Sequence, residues 1–488
     1  MGDPVPTGPD RSVHEIRTSP RTLADLGGIF TIIEIDASGS GVIAPDHCGY
    51  VPAYRARNDQ AEIVGSTSAL VAVANGGPRP AKSVTAPCSL AVTGWLIGAH
   101  TGFEDVGCLP ANQMLKIDRG RIEVQQRIDA PPWIPTPEAE SPSIEEAAAA
   151  IADGVSYASR LTATTRYIDL TAGLDSRLVT AAALHLGVTD QFTFLTIGGE
   201  GLHDVQVARD LARTFGLDHH VGFAAPVTTR SLPDRIRDHV QATAGISNCI
   251  DLRSAEQLPE GVEQIRVQGL LGEALRAYYP GWPDKATGAR FWPAFDRRLK
   301  LDPLGLAEPD FVEHCRQSAH TAAAPDWLPP DLGGPDQAHN YYLTVRLRDR
   351  VRDVTRMAPD RRIYPIFTPP AIAYAAGGGA QARAADLPHR QLLQALSPEL
   401  ADYHYDDTTT AAPAHQPKPA TLMQSIREQS IDETGDFYRE VVADHSNPAW
   451  DRLQRDRCVA AVERLSSLDQ AERRALDGAV TAAVWLSD

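Results

Sequence analysis

Residues 167–184 read YIDLTAGLDSRLVTAAAL, and this stretch predicts the fold of the larger part of the chain. A short apolar run leads into the small residues Thr171, Ala172 and Gly173, and an alanine-rich segment follows directly. This order is typical of a strand that ends in a tight turn at the N-terminus of a helix. The backbone N–H groups of such a turn and the positive end of the helix together form a pocket for an anion.

The side chains of this turn suit a phosphate group. Thr171 and Ser176 add hydroxyl donors, and Gly173 lets the backbone approach a phosphate closely. Asp175 would repel a bare phosphate, so its presence indicates a bridging cation, for which Mg²⁺ is the expected ion. The spacing lacks the G-x-x-x-x-G-K-[ST] pattern of a P-loop.

Strand and helix patterns alternate around this turn. Ser143 and Glu146 form a capping box at the start of a predicted helix. Strands are predicted at 166–170, 191–196 and 264–267, and helices at 175–186, at 204–215 and from Glu273. Such alternation predicts a parallel sheet with helices on both faces. Residues 283–336 are proline-rich and read as irregular, and helices are predicted again at 338–357 and 390–400.

The turn resembles the S-G-G-x-D-S motif of the PP-loop ATP pyrophosphatases. It is more closely similar to that of the asparagine synthetase superfamily, which includes β-lactam synthetases and lasso-peptide cyclases. Thr171 stands for the first Ser and Ala172 for the first Gly. The resemblance implies an ATP-binding α/β domain of the adenine-nucleotide α-hydrolase type. It places the nucleotide against Leu170, Thr171, Ala172, Gly173, Asp175, Ser176, Thr196 and Gly269.

Downstream segments extend the resemblance over about residues 143–400. Residues 192–196 and 204–220 resemble the family's second strand and helix, and 267–273 resembles its G-x-G-x-D segment. The resemblance makes Glu273 a second Mg²⁺ ligand beside Asp175, although an acid at a helix start is also ordinary. A last segment resembles the family's R-x-P-F-L-D region, with Thr368 where Asp is usual.

The first 128 residues have a different pattern. Short β-type runs at 29–35, 50–55, 61–64 and 113–117 surround one helical piece near 68–73. This region resembles the Ntn-type glutaminase β-sandwich that precedes the synthetase domain in the family. In glutamine-dependent members a cysteine follows the initiator methionine, whereas this chain has Gly2, so glutamine hydrolysis is not expected. A proline-rich linker is predicted at 129–142, and the synthetase domain at 143–488 with a helical C-terminal part.

Composition excludes several function classes. The 488 residues carry a net charge of −17 without a long basic run, which argues against a nucleic-acid partner. No stretch approaches the ~20 apolar residues of a membrane span, and the start lacks the features of a signal peptide. Six scattered cysteines indicate reduced thiols without a zinc site, and the chain is expected to be cytoplasmic.

The resemblance implies an ATP-dependent, AMP-forming ligase. A carboxylate attacks the α-phosphate of ATP, and an amine then displaces AMP to give an amide. Asp175 and Glu273 are expected to hold Mg²⁺ at the departing diphosphate, and Lys418 is the expected lysine for the second step. The expected substrates are an amine and a carboxylate-bearing small molecule or short peptide, in natural-product biosynthesis. A partner protein from the same pathway is a further expectation.

Two other functions stay open on the sequence. One is an amidotransferase that uses ammonia or depends on a separate glutaminase. The other is a degenerate member that no longer adenylates and serves as a scaffold subunit, which the exchanges at Thr171, Ala172 and Thr368 favour. The motifs are equally compatible with a lactam, a macrolactam and an amide between two molecules.

Overall fold

The structure is a computed structural model. It describes residues 4–6, 26–127, 131–134, 140–199, 202–222, 230–249, 262–277, 279, 282, 287–356, 360–403 and 431–487, with the backbone alone at 4–6, 353–356 and 431. Half of the predicted linker, Gly2 and Lys418 lie outside the described residues.

The N-terminal region folds into antiparallel sheets. Its strands are β1 (Pro4–Pro6), β2 (Leu26–Gly28), β3 (Thr31–Ile35), β4 (Gly41–Pro45), β5 (Tyr54–Arg57), β6 (Glu62–Gly65), β7 (Gly107–Cys108), β8 (Gln113–Asp118) and β9 (Arg121–Gln126). β1 pairs with β2, and the two larger sheets have the orders β3-β4-β8-β9 and β6-β5-β7. The strand-rich character predicted for this region is therefore confirmed.

An apolar cluster joins the two larger antiparallel sheets. Ile43 of β4 and Leu115 of β8 are directly opposite each other and buried, and they share a cluster with Ala53 and Leu109. Opposite residues of an antiparallel pair point to the same face, so one face of the larger sheet is covered. Two helices lie between the strands, α1 (Ser68–Gly76) near the predicted piece and α2 (Thr85–Thr93), which was not predicted.

A five-stranded parallel sheet forms the second region, as the alternation predicted. Helix α3 (Ile144–Arg160) begins at the capping box, where Ser143 Oγ accepts the Glu146 N–H and the Glu146 carboxylate accepts the Ser143 N–H. The elements that follow are β10 (Thr165–Asp169), α4 (Leu174–Leu186), β11 (Thr193–Ile197), α5 (His203–Phe215), β12 (His219–Gly222), α6 (Leu232–Thr243), β13 (Gln264–Val267) and, later, β14 (Arg361–Ile363). All pairs are parallel, in the order β12-β11-β10-β13-β14.

The direction of strand addition reverses at β10. From β10 the chain passes to β11 and β12 on one side, and it returns to β13 on the other side. At such a switch point the loops after neighbouring strands leave a crevice at the carboxyl edge, where α/β proteins bind ligands. The loops at 170–173 and 268–271 follow β10 and β13, so both lie at the carboxyl edge of the switch point, where such a crevice is expected.

Helices make up most of the remaining chain. They are α7 (Phe291–Leu299), α8 (Pro309–Ala323), α9 (Gly334–Tyr341), α10 (Arg348–Arg356), α11 (Pro369–Gly377), α12 (Gly379–Ala384), α13 (Leu387–Leu396), α14 (Pro398–Ala401), α15 (Ile431–Ala443), α16 (Arg455–Val462) and α17 (Gln470–Leu486). The helix predicted at 338–357 is present, but a π-helical segment, Tyr342–Leu347, joins α9 to α10.

Two predictions of local structure are wrong. No α-helix starts at Glu273: the chain forms a short 3₁₀ turn, Gly272–Leu275, because Leu271 before it takes a left-handed φ of 76° and Arg276 after it is extended. Residues 283–336 are not irregular throughout, since α7 and α8 lie there. Pro293 and Pro309 fall in the first turns of these helices, where a missing N–H breaks no intrahelical bond.

Two large cores organise the chain. The first surrounds the parallel sheet and includes Ile168 and Val267 with residues of α3, α4, α5, α11 and α13. The second joins α1 and α2 to α6, α8 and α15–α17, so the C-terminal helices pack on the N-terminal region. All six cysteines are buried, and none of them forms a disulfide. Within the described ranges, none of the helices combines the length and apolarity that a membrane crossing needs.

Candidate functional site

The turn after β10 is bonded to the neighbouring strand. Leu170 is buried, and its N–H donates to the Leu195 carbonyl at 2.9 Å. The Thr196 hydroxyl donates to the Leu170 carbonyl at 2.6 Å and lies 2.8 Å from His219 Nε2. Thr196, a predicted nucleotide contact, therefore fixes the position at which the turn leaves the sheet.

The N–H groups of the turn already have acceptors. The Thr171 N–H donates to Ser176 Oγ at 3.1 Å, and the Gly173 N–H donates to Thr171 Oγ1 at 3.1 Å. The two hydroxyls lie 2.8 Å apart and share a hydrogen bond. The donors expected to be free for a phosphate are therefore occupied, because the hydroxyl groups fold back onto the turn.

Asp204 is a site residue that the sequence analysis missed. It lies in the first turn of α5, and its Oδ1 accepts the Ala172 N–H at 3.0 Å. The turn after β10 thus binds an anionic oxygen through a backbone donor. An acid at the start of the helix that follows the neighbouring strand is the signal that could have indicated it.

Asp175 is held between two basic side chains. His389 Nε2 lies 2.8 Å from Asp175 Oδ1, and Arg276 forms an ion pair with Oδ2. The side chain of Asp175 is 21% exposed, whereas that of His389 is buried. Burial raises the pKa of Asp175, but His389 and then Arg276 outweigh burial, so the pKa lies below its ordinary value. Asp175 is therefore an anion that the protein itself neutralises.

Two glycines bring the loop after β13 against the first turn of α4. A Cβ on Gly269 would lie 2.5 Å from the carbonyl carbon of Asp175 and 2.6 Å from Ser176 N. A Cβ on Gly272 would overlap the Asp175 carboxylate. Real Cβ atoms do not approach so closely, so glycine is required at both positions. The predicted nucleotide contact Gly269 thus lies beside the turn after β10, as expected.

Glu273 is also paired within the protein. Its Oε2 accepts the Leu271 N–H at 3.1 Å, and its Oε1 lies 3.5 Å from Arg350 Nη1. The side chain of Glu273 is 15% exposed. The two predicted Mg²⁺ ligands lie two residues beyond the loops at 170–173 and 268–271, in the first turn of α4 and in the 3₁₀ turn. Each carboxylate has its own cationic partner.

The donor set around Asp175 and Glu273 does not fit a bound Mg²⁺. Mg²⁺ requires oxygen ligands in nearly ideal octahedral geometry. Arg276 and His389 contact the two oxygens of the Asp175 carboxylate and offer cationic or N–H groups in place of oxygen ligands. Among the side chains that the structure describes, no group of three His, Cys, Asp or Glu residues could hold a metal ion.

The 3₁₀ turn that carries Glu273 is bonded to two further helices. His339 Nε2 lies 3.3 Å from the Ala274 carbonyl, and the Ala277 N–H donates to the Arg383 carbonyl at 3.2 Å. Burial, with a smaller contribution from Arg383, lowers the pKa of His339 to about 3. His339 is therefore neutral, and its Nε2–H donates to the turn.

A second polar network lies at the ends of β10 and β13. Arg266 Nε and Gln268 Nε2 each lie 2.6 Å from an oxygen of Asp169. Burial lowers the pKa of Arg266, but Asp169 outweighs it and the pKa is raised. This network ties the two strands of the switch point together, and it was not predicted.

No protein-family model matches this chain, and none of the curated proteins matches it. The interpretation of the site therefore rests on its own residues and on the resemblance of its motifs.

Proposed function

We propose that this chain is an ATP-dependent, AMP-forming amide synthetase that adenylates a carboxylate and couples it to an amine. The observation that carries the proposal is the bond from the Ala172 N–H to the Asp204 carboxylate. A turn that binds an anionic oxygen at the switch point of a parallel sheet is suited to a phosphate oxygen of ATP.

The wider architecture supports the same proposal. A five-stranded parallel sheet with this strand order agrees with an adenine-nucleotide α-hydrolase-like domain. The antiparallel sheets before residue 128 agree with a glutaminase-like sandwich. We propose that the amine comes from the substrate and not from glutamine, as the resemblance to β-lactam synthetases and lasso-peptide cyclases implies.

Two chemical steps are proposed. A carboxylate oxygen attacks the α-phosphorus of ATP, the bond to the β-phosphate oxygen breaks, and diphosphate leaves. The amine nitrogen then attacks the acyl carbon, the bond to AMP breaks, and the nitrogen loses its proton to a base. The hydroxyl groups of Thr171 and Ser176 would orient the phosphates, and Leu170, Thr196 and Gly269 would border the nucleotide. Lys418 stays the predicted residue for the second step.

Exchange of labelled diphosphate into ATP tests the first step. We expect exchange that depends on particular carboxylates, from small molecules or short peptides, and that needs no ammonia. Ser176→Ala should lower the exchange rate at least about tenfold, because the serine hydroxyl bonds the turn. Ser318→Ala is the matched control, since that hydroxyl donates only to a carbonyl of its own helix, at 3.0 Å.

The second step has its own test. Lys418→Met should retain diphosphate exchange and lose amide formation. Amide formation that requires added ammonia or a partner glutaminase would indicate the amidotransferase.

A scaffold that no longer adenylates is the second candidate. Internal bonding of the Thr171, Ala172 and Gly173 N–H groups is the observation that favours it. Folded protein that binds no ATP by calorimetry, alone or with the carboxylates screened for exchange, would support the scaffold and contradict the synthetase.

A further inference from the structure

Arg276 contacts the first turn of α4, the helix that follows the turn after β10. It directly follows the 3₁₀ turn after β13, and its Nη2 bonds Asp175 in the first turn of α4. Its side chain is 31% exposed, so part of it is accessible to solvent. The Glu273 carboxylate also attracts the Arg276 guanidinium, so Arg276 lies near both predicted Mg²⁺ ligands.

The backbone around Arg276 is held by hydrogen bonds and by close packing. The Arg276 N–H donates to the Glu273 carbonyl at 3.3 Å, and the next residue, Ala277, donates to the Arg383 carbonyl. The backbone at Gly272 lies against the Asp175 carboxylate, so the turn cannot move toward α4. These contacts hold the backbone of Arg276 next to the Asp175 carboxylate.

A guanidinium has more donors than Asp175 alone can satisfy. It carries five N–H groups in a planar fork, which matches the oxygens of a phosphate as well as those of a carboxylate. Asp175 occupies one side of this fork and orients it. Arg276 can therefore contact a phosphate oxygen without losing its ion pair.

We propose that Arg276 binds the diphosphate group, and that it supplies the positive charge that the motif resemblance assigns to Mg²⁺ between Asp175 and Glu273. The proposal rests on the proposed function, since diphosphate is the leaving group of adenylation. Asp175 is then the residue that positions Arg276, with His389 supporting its other oxygen.

Calorimetric titration of the full chain with inorganic diphosphate, in buffer containing EDTA, tests this proposal. We expect the natural protein to bind without metal, and Arg276→Met to bind at least about tenfold more weakly, as loss of a charge-assisted bond requires. Arg276→Lys should be intermediate, because it keeps the charge and loses the fork. Arg121→Met, which removes an 81% exposed arginine of β9, should bind as the natural protein does.

A double variant separates phosphate binding from neutralisation of Asp175. If Arg276 only neutralises Asp175, then Arg276→Met combined with Asp175→Asn should restore diphosphate binding, and the proposal fails. If Arg276 contacts the phosphate, the double variant should stay weak. Thermal unfolding of each variant checks that the chain is folded.

The natural protein also distinguishes the two proposals. Diphosphate binding that requires Mg²⁺, together with carboxylate-dependent exchange, would overturn the role of Arg276 and leave the synthetase intact. Absence of diphosphate and ATP binding with or without Mg²⁺, and of exchange, would overturn both.

Discussion

Alanine at two glycines of the site should have opposite effects on stability. Gly173 is exposed, with φ −74° and ψ 155°, which alanine adopts easily, and a Cβ there would lie 3.4 Å from Thr171 Oγ1. Gly269 lies in the loop after β13, where a Cβ would lie 2.5 Å from the Asp175 backbone. A methyl group fits at Gly173, whereas a methyl group at Gly269 must displace α4 or the loop after β13.

The magnitudes follow from these contacts. Gly173→Ala should stabilise the fold by about 0.4–1 kcal/mol, because alanine restricts the unfolded chain at a conformation that it tolerates. Gly269→Ala should destabilise by roughly 1–3 kcal/mol, the usual cost of overpacking against groups that cannot move. The midpoint of thermal unfolding should therefore rise by a few degrees at most for Gly173→Ala, and fall for Gly269→Ala.

ATP binding should respond differently from stability. The added methyl group of Gly173→Ala occupies the exposed side of the turn, where the phosphate is proposed to lie, so ATP affinity should fall at least about tenfold in a more stable protein. Scanning fluorimetry and ATP calorimetry on the same samples measure both quantities. If Gly173→Ala binds ATP as the natural protein does, the phosphate does not approach Gly173 and the interpretation of the turn is wrong.

Three further substitutions test other parts of the structure. Asp204→Asn should raise ATP affinity several-fold by calorimetry, because the amide oxygen keeps the bond to the turn and removes a charge that repels phosphate; weaker binding would contradict this. His339 has a folded pKa of about 3 against an ordinary 6.5, so its neutral form stabilises the fold above about pH 6.5, and this contribution is lost as the pH falls toward 3. His339→Gln should therefore show a smaller decrease in unfolding midpoint between about pH 6.5 and 4, and an unchanged slope would contradict the assignment. Gly478→Ala should lower the midpoint, because a Cβ there would lie 2.5 Å from the Leu90 backbone between α17 and α2; an unchanged midpoint would mean that the two helices separate easily.

The local sequence correctly predicted the helices and strands that depend on residues close together in the chain. The capping box at Ser143 and Glu146, the alanine-rich helix α4 and the apolar strand β10 each form from residues close in the chain. The turn between β10 and α4 was predicted for the same reason. Helices α7 and α8 were missed because proline was taken as an interruption, although it lies in their first turns.

The partners of the site residues could not be predicted in this way. Arg276 and His389 meet Asp175 from 101 and 214 residues away along the chain. The helix predicted from Glu273 does not form, because Leu271 takes a left-handed conformation. Leucine rarely takes this conformation, so nothing in the local sequence indicated it. The sequence could therefore indicate which loops form the crevice, but not that its carboxylates are already neutralised.

The internal bonds of the site give a physical reason for its shape. Donors left unbonded in a partly buried turn would cost free energy, and the turn would rearrange to satisfy them. Asp204 supplies an anionic oxygen in the place proposed for a phosphate oxygen, and Arg276 supplies a cation for Asp175. A phosphate can then take over the contact of Asp204 while the ion pair of Arg276 stays in place. Nucleotide binding then exchanges the contacts within the turn for equivalent contacts with the phosphate. The net free energy of binding is the difference between the free energies of these two sets of contacts.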